Sequence, residues 1–109
     1  MRAIFCASVI AVCPLSGPAL AETAETVRAG FEVAQRFCAR CHSIGLQGTS
    51  PHPGAPPLRD IAARGNVQNL EEALGEGIVV GHPDMPQFQF KPREVGELIA
   101  YLKSLSGKG

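Results

Sequence analysis

Cys38-Ala39-Arg40-Cys41-His42 sets two thiols three positions apart and an imidazole directly behind the second. The preceding stretch is helical in pattern. Val27, Gly30, Phe31, Ala34 and Phe37 fall at helical spacing, with Arg28, Glu32, Gln35 and Arg36 between them. This helix runs straight into Cys38, and two residues three apart on a helical turn point to one side. Three chemistries use such a set. A redox C-x-x-C pair needs a βαβ setting, and the only β-like run in the chain is Ile78-Val79-Val80. A zinc site needs four ligands. Cys38, Cys41, His42 and His52 make an awkward set, because adjacent Cys41 and His42 diverge.

The third chemistry is covalent attachment of haem. The Cys38 and Cys41 thiols add to its two vinyl groups, and His42 then projects toward the iron as the proximal ligand. A six-coordinate iron needs a partner on the opposite side. Met85 stands forty-three residues after His42 in a Gly/Pro-bounded loop, directly before Pro86. A thioether is a soft ligand and raises the reduction potential relative to a second histidine. Its competing role is to fill the core, since methionine packs adaptably. His82 and His52 are the rivals that would give bis-histidine iron, and each also reads as a loop residue with a surface or hydrogen-bonding role.

The rest of the chain agrees with a cofactor-completed domain. The 109 residues suffice for one small domain, and so short a chain buries a modest core that often needs a staple. Ten basic residues balance ten acidic ones, and there is no Lys/Arg block. This argues against binding nucleic acid. Residues 1–21 read as a secretory signal: Arg2 is its positive end, and the run Ala3 to Cys13 is apolar. Pro14, Gly17 and Pro18 break that run, and Ala19-Leu20-Ala21 is an A-x-A cleavage site. Eleven residues are too few for a membrane span, which needs about twenty. Cys6 and Cys13 are expected to leave with the signal. The mature domain is then residues 22–109, in the periplasm and without stable membrane insertion.

A loop from Ser43 to Pro57 is rich in glycine and proline. Short helices are expected over Leu58–Ala63 and Val67–Leu74, each followed by glycine (Gly65, Gly75), and a second loop covers Gly75 to Lys91. The last helix opens at Pro92, with Glu94 and Glu97 early and Lys103 late. Val95, Leu98, Ile99, Leu102 and Leu105 form its apolar stripe. The fold class is therefore all-α. The two terminal helices pack on each other, with Gly30 allowing close approach of Tyr101 or Leu98.

These residues resemble the class I c-type cytochromes. The likeness spans the leading helix, Cys38-x-x-Cys41-His42, a Pro-Leu loop, Met85-Pro86 and the Leu98-Ile99-Ala100-Tyr101-Leu102 helix. Gly81-His82-Pro83-Asp84-Met85-Pro86 looks like the ligand loop of short bacterial periplasmic monohaem members. The resemblance implies a small fold with crossing terminal helices and haem c enclosed by loops. It implies that Gly30 and Tyr101 meet at the crossing, and that the Pro56 carbonyl accepts the Nδ1–H of His42. The family often has an aromatic four residues before its first haem cysteine; here that position is Ala34, and Phe31 or Phe37 is expected to fill the space. Pro57, directly after Pro56, offers a second carbonyl for His42. No lysine ring is present, so docking by a strong positive face is not expected.

The function expected is one-electron shuttling by a monomer, between a dehydrogenase or reductase donor and an oxidase acceptor, with no catalysis. Leu58, Ile61, Phe88, Leu98 and Leu102 are the residues expected to keep water from the iron. Haem completes the core, so the haem-free chain is expected to be largely unfolded. Two alternatives stand beside this reading. One is five-coordinate iron that handles peroxide or small gases, with His82 as its polar distal group. The other is a fixed subunit of a dehydrogenase.

Overall fold

Thr23 opens the first helix by accepting the Thr26 N–H on its hydroxyl at 3.1 Å. The computed structural model describes residues 9–14, 23–65, 67–77 and 84–107, and within them four helices follow in order. They are α1 (Ala24–Phe37), α2 (Leu58–Ala63), α3 (Val67–Glu76) and α4 (Pro92–Leu105). Glu25 in the first turn of α1 and Arg36 in its last complement the helix dipole. α4 starts on Pro92, and the Glu94 carboxylate accepts the Lys91 N–H at 3.0 Å. The described residues contain no strand, and none of their helices is long and apolar enough to cross a membrane. Ile78-Val79-Val80 lies outside the described residues.

One boundary differs from expectation. α3 continues through Gly75 to Glu76, and the chain turns at Gly77, where φ is +94°. A left-handed turn suits glycine, whereas Gly75 keeps an ordinary helical backbone at the modest cost of a glycine inside a helix.

α4 is the centre of the molecule. α1 packs most extensively against it, and α2 and α3 add smaller contacts. For that reason α4 buries more than the expected stripe: Ala100 and Tyr101 join Val95, Leu98, Ile99 and Leu102 in the core, while Leu105 is only partly covered. The other elements contribute Val33, Ala34, Leu58, Ala62, Leu74 and Phe90. At the crossing of α1 and α4, Gly30 is pressed against backbone. A Cβ there would overlap the Glu97 carbonyl and come within 2.7 Å of the Tyr101 Cβ. Glu97 and Tyr101, rather than Leu98, therefore set the requirement for glycine.

Candidate functional site

The Cys38–His42 turn extends α1 by hydrogen bonds of helical type. Cys38 N–H and Ala39 N–H both donate to Ala34 O, at 2.8 and 3.0 Å. Cys41 N–H and His42 N–H both donate to Cys38 O, at 3.0 and 2.9 Å. The two cysteines are unpaired. Burial pushes the Cys38 thiol up to about 11, so at neutral pH it stays protonated. A redox-active C-x-x-C cysteine shows the opposite shift, because its thiolate must form readily. Zinc finds no support either: the described residues hold no group of three or more His, Cys, Asp or Glu side chains able to bind a metal.

His42 is oriented from behind. Its Nδ1 lies 2.6 Å from Pro56 O. A carbonyl only accepts, so Nδ1 carries the proton and Nε2 keeps the lone pair that a metal ligand needs. Pro57 is otherwise engaged, since its carbonyl accepts Asp60 N–H and Ile61 N–H, at 3.0 and 3.3 Å, in the first turn of α2. That leaves the Pro56 carbonyl for the imidazole.

The loop that carries Pro56 is laced to its surroundings. Leu58 N–H donates to Ser43 O at 2.9 Å, and Ser43 N–H donates to Ser50 Oγ at 2.9 Å. Arg59 reaches back over the loop, donating from Nη1 to Ser43 Oγ and Gly45 O and from Nη2 to Gly48 O at 2.7 Å. Tyr101 OH donates to Ile44 O at 2.5 Å, which joins α4 to the residues just after His42. Sequence reading missed both roles. A loop rich in glycine has many carbonyls and few side-chain donors, and an arginine one residue into the next helix is the signal that could have been noticed.

Met85 is half-buried and packs against the same core cluster as Cys38. Three phenylalanines pack together, with Phe37 and Phe88 against that same cluster and Phe90 within it. Phe37 meets Phe88 and Phe90 edge-on at centroid distances of 5.6 and 5.3 Å, and Phe88 tilts against Phe90 at 5.6 Å. Phe90 is 7% exposed and was not foreseen as a core residue. Of the two phenylalanines expected to compensate for Ala34, Phe37 joins this cluster. Phe31 instead sits edge-on to Tyr101 at 5.6 Å, beside the helix crossing. Of the residues expected to exclude water, Leu58, Leu98 and Leu102 are buried, and Ile61 and Phe88 partly so.

Both ring nitrogens of His52 have neighbours. Nδ1 accepts the Gly54 N–H at 3.0 Å, and Nε2 is 3.5 Å from Asp84 Oδ2. His82 lies outside the described residues.

Two reduced thiols on one turn, an imidazole with a free Nε2 lone pair and a thioether against one apolar core make a donor set that fits covalently held haem. Comparison with known proteins points the same way. Residues 27–106 match the family model described as Cytochrome c. The chain is 32% identical over 97 residues to "Cytochrome c-552" of Bradyrhizobium diazoefficiens, an alignment covering 89% of this chain and 88% of that protein. It is also 32% identical over 76 residues to "Cytochrome c-553-like" of a Synechocystis species, covering 70% of this chain and 66% of that one. No solved structure matches.

Proposed function

The chain belongs to the cytochrome c family, and on that premise we propose a periplasmic one-electron carrier whose haem iron has His42 and Met85 as axial ligands. Membership makes the chain a haem-bearing electron-transfer protein with redox partners and no catalysis of its own. Cys38 and Cys41 supply the thioether attachment. When bound, the haem supplies one-electron exchange between ferrous and ferric iron. The protein's part is to hold ligands still and water out. The Pro56 carbonyl fixes the tautomer of His42 and raises its basicity. Met85, relative to a second histidine, biases the site toward a higher potential. Leu58, Leu98 and Leu102 line the core from which water is kept.

The observation that carries this reading is the Cys38–His42 turn with the His42 Nδ1–H donated to Pro56 O. Residues 1–21 act as a cleaved export signal, so intact mass measurement of periplasmic protein should find the chain beginning at Glu22. Balanced charge predicts partner association that depends only weakly on salt.

The test is an optical spectrum of the oxidised and reduced protein, extended to the far red. Methionine sulfur on ferric iron gives a weak far-red band, and carbon monoxide should leave the reduced spectrum unchanged. No band together with carbon monoxide binding would open the iron and favour a peroxide- or gas-handling role. Protein carrying no haem would sink the whole reading.

A further inference from the structure

Met85 belongs to a segment with few polar anchors, and the residue directly before it makes one of them. Asp84 Oδ2 lies 3.5 Å from His52 Nε2. The state of that imidazole can be read from its other nitrogen. Because Nδ1 accepts the Gly54 N–H at 3.0 Å, the ring proton of neutral His52 must sit on Nε2, the atom that faces the carboxylate.

The backbone of His52 is itself held. Its N–H donates to Cys41 O at 3.1 Å, and its own carbonyl accepts the Ala55 N–H at 3.1 Å. Gly54 lets the ring keep its place, since a Cβ at that position would lie 3.2 Å from the imidazole Cε1. A short path therefore runs from Met85 through Asp84 and His52 to Cys41, the residue directly before His42.

We propose that His52 and Asp84 form a clasp that positions Met85, tying the methionine segment to the haem-attachment turn through the backbone of Cys41. The proposal rests on the reading of Met85 as axial ligand. His52 and Asp84 are positioning residues: they act on Met85 through the chain and bias the equilibrium between bound and displaced methionine. The side chains are 40% and 76% exposed, so the contact is an open one. Its effect should be that of a surface pair, about two- to fivefold in an equilibrium constant.

The experiment is titration of the oxidised, haem-loaded protein with imidazole, following loss of the far-red band. His52→Ala and Asp84→Asn should each lower the dissociation constant for imidazole by about two- to fivefold. The double variant should do no more than either single one, because both remove the same contact. His52→Gln, which keeps a donor at the end of its side chain, should recover part of the wild-type value. Glu71→Gln, which removes an exposed α3 carboxylate, should leave the constant unchanged and so excludes a general charge effect. Unfolding by urea, measured in parallel, separates positioning from global destabilisation. Additive single effects, unchanged constants, or shifts that merely track the urea midpoint would overturn the clasp while leaving the ligand assignment standing. A wild-type protein without the far-red band would overturn the ligand assignment, and the clasp with it.

Discussion

The segment from Ser43 to Arg59 and the segment from Asp84 to Phe90 flank the same site and are held by different forces. The first is a lattice of directed bonds: His42 to Pro56, Leu58 to Ser43, Arg59 to three loop acceptors and Tyr101 to Ile44. The second has sparse polar ties, Phe90 N–H donating to Leu74 O at 3.3 Å and the open His52–Asp84 contact at 3.5 Å, and relies mainly on the Phe37–Phe88–Phe90 ring cluster. Hydrogen bonds fix where an atom sits, whereas apolar burial rewards removal from water with little regard to direction. The histidine side should therefore be set rigidly, and the methionine side retained mainly by packing. On the proposed His42–Met85 ligation, Met85 should be the first of the two to yield.

The largest expected effect removes the frame common to both segments. Gly30→Val would drive side-chain atoms into the Glu97 carbonyl, and backbone cannot move aside as a flexible side chain can. A loss of more than about 4 kcal/mol is expected, enough to prevent a small domain from folding. The measurement is the yield of haem-loaded protein together with its urea midpoint. A Gly30→Val protein that kept its haem and lost only the far-red band would mean that the crossing supports the methionine side alone.

Next comes Phe90→Ala, which acts on one side of the comparison. Phe90 is buried between Phe37 and Phe88, and truncating a buried phenylalanine costs about 3–5 kcal/mol. Urea unfolding should show that loss, and imidazole should displace the methionine more easily than in wild type. Destabilisation with unchanged imidazole affinity would show that the rings stabilise the fold without holding Met85.

Arg59→Ala probes the other side and should matter less. Its three bonds close the loop, yet Gly48 is exposed and water can replace the arginine at its carbonyl. A loss of about 1–2 kcal/mol is expected, with the far-red band retained because Met85 is not touched. Loss of the band on Arg59→Ala would break the proposed independence of the two sides.

What the sequence disclosed and what it withheld follow the same division. The helices were legible because their signals are local: Pro92 and Glu94 at the start of α4, periodic apolar residues in α1, and Leu58–Ala63 between Pro57 and Gly65. Cys38, Cys41 and His42 were legible because the chemistry demands one fixed spacing. The binding of Arg59 to loop carbonyls was not, because a carbonyl leaves no trace in residue identity. Phe90 was hidden for a related reason. It sits in Gln87-Phe88-Gln89-Phe90-Lys91, whose short alternation puts Phe88 and Phe90 on one side but names no partner. The segment forms no strand, so the burial of Phe90 depends on Phe37, which only the fold brings alongside. The end of α3 was misplaced by two residues because either Gly75 or Gly77 could stop a helix, and only the positive φ distinguishes them.

The smallest expected effect concerns a side chain that serves both the crossing and the histidine side. Tyr101 packs its ring edge-on to Phe31 and donates its hydroxyl to Ile44 O. Tyr101→Phe keeps the ring and removes the donor, so about 1 kcal/mol should be lost at neutral pH. The pH dependence gives a sharper test. Burial raises the Tyr101 phenol above its ordinary value of 10.0. Once the pH passes 10, the unfolded chain releases this proton while the folded chain keeps it, so the folded state binds more protons and stability falls. The contribution is fully present below the unfolded value and is lost as pH rises through the folded one. Urea midpoints measured for wild type and Tyr101→Phe should therefore differ most near neutrality and converge in the alkaline range. A constant difference across that range would mean that the phenol ionises alike in the folded and unfolded states.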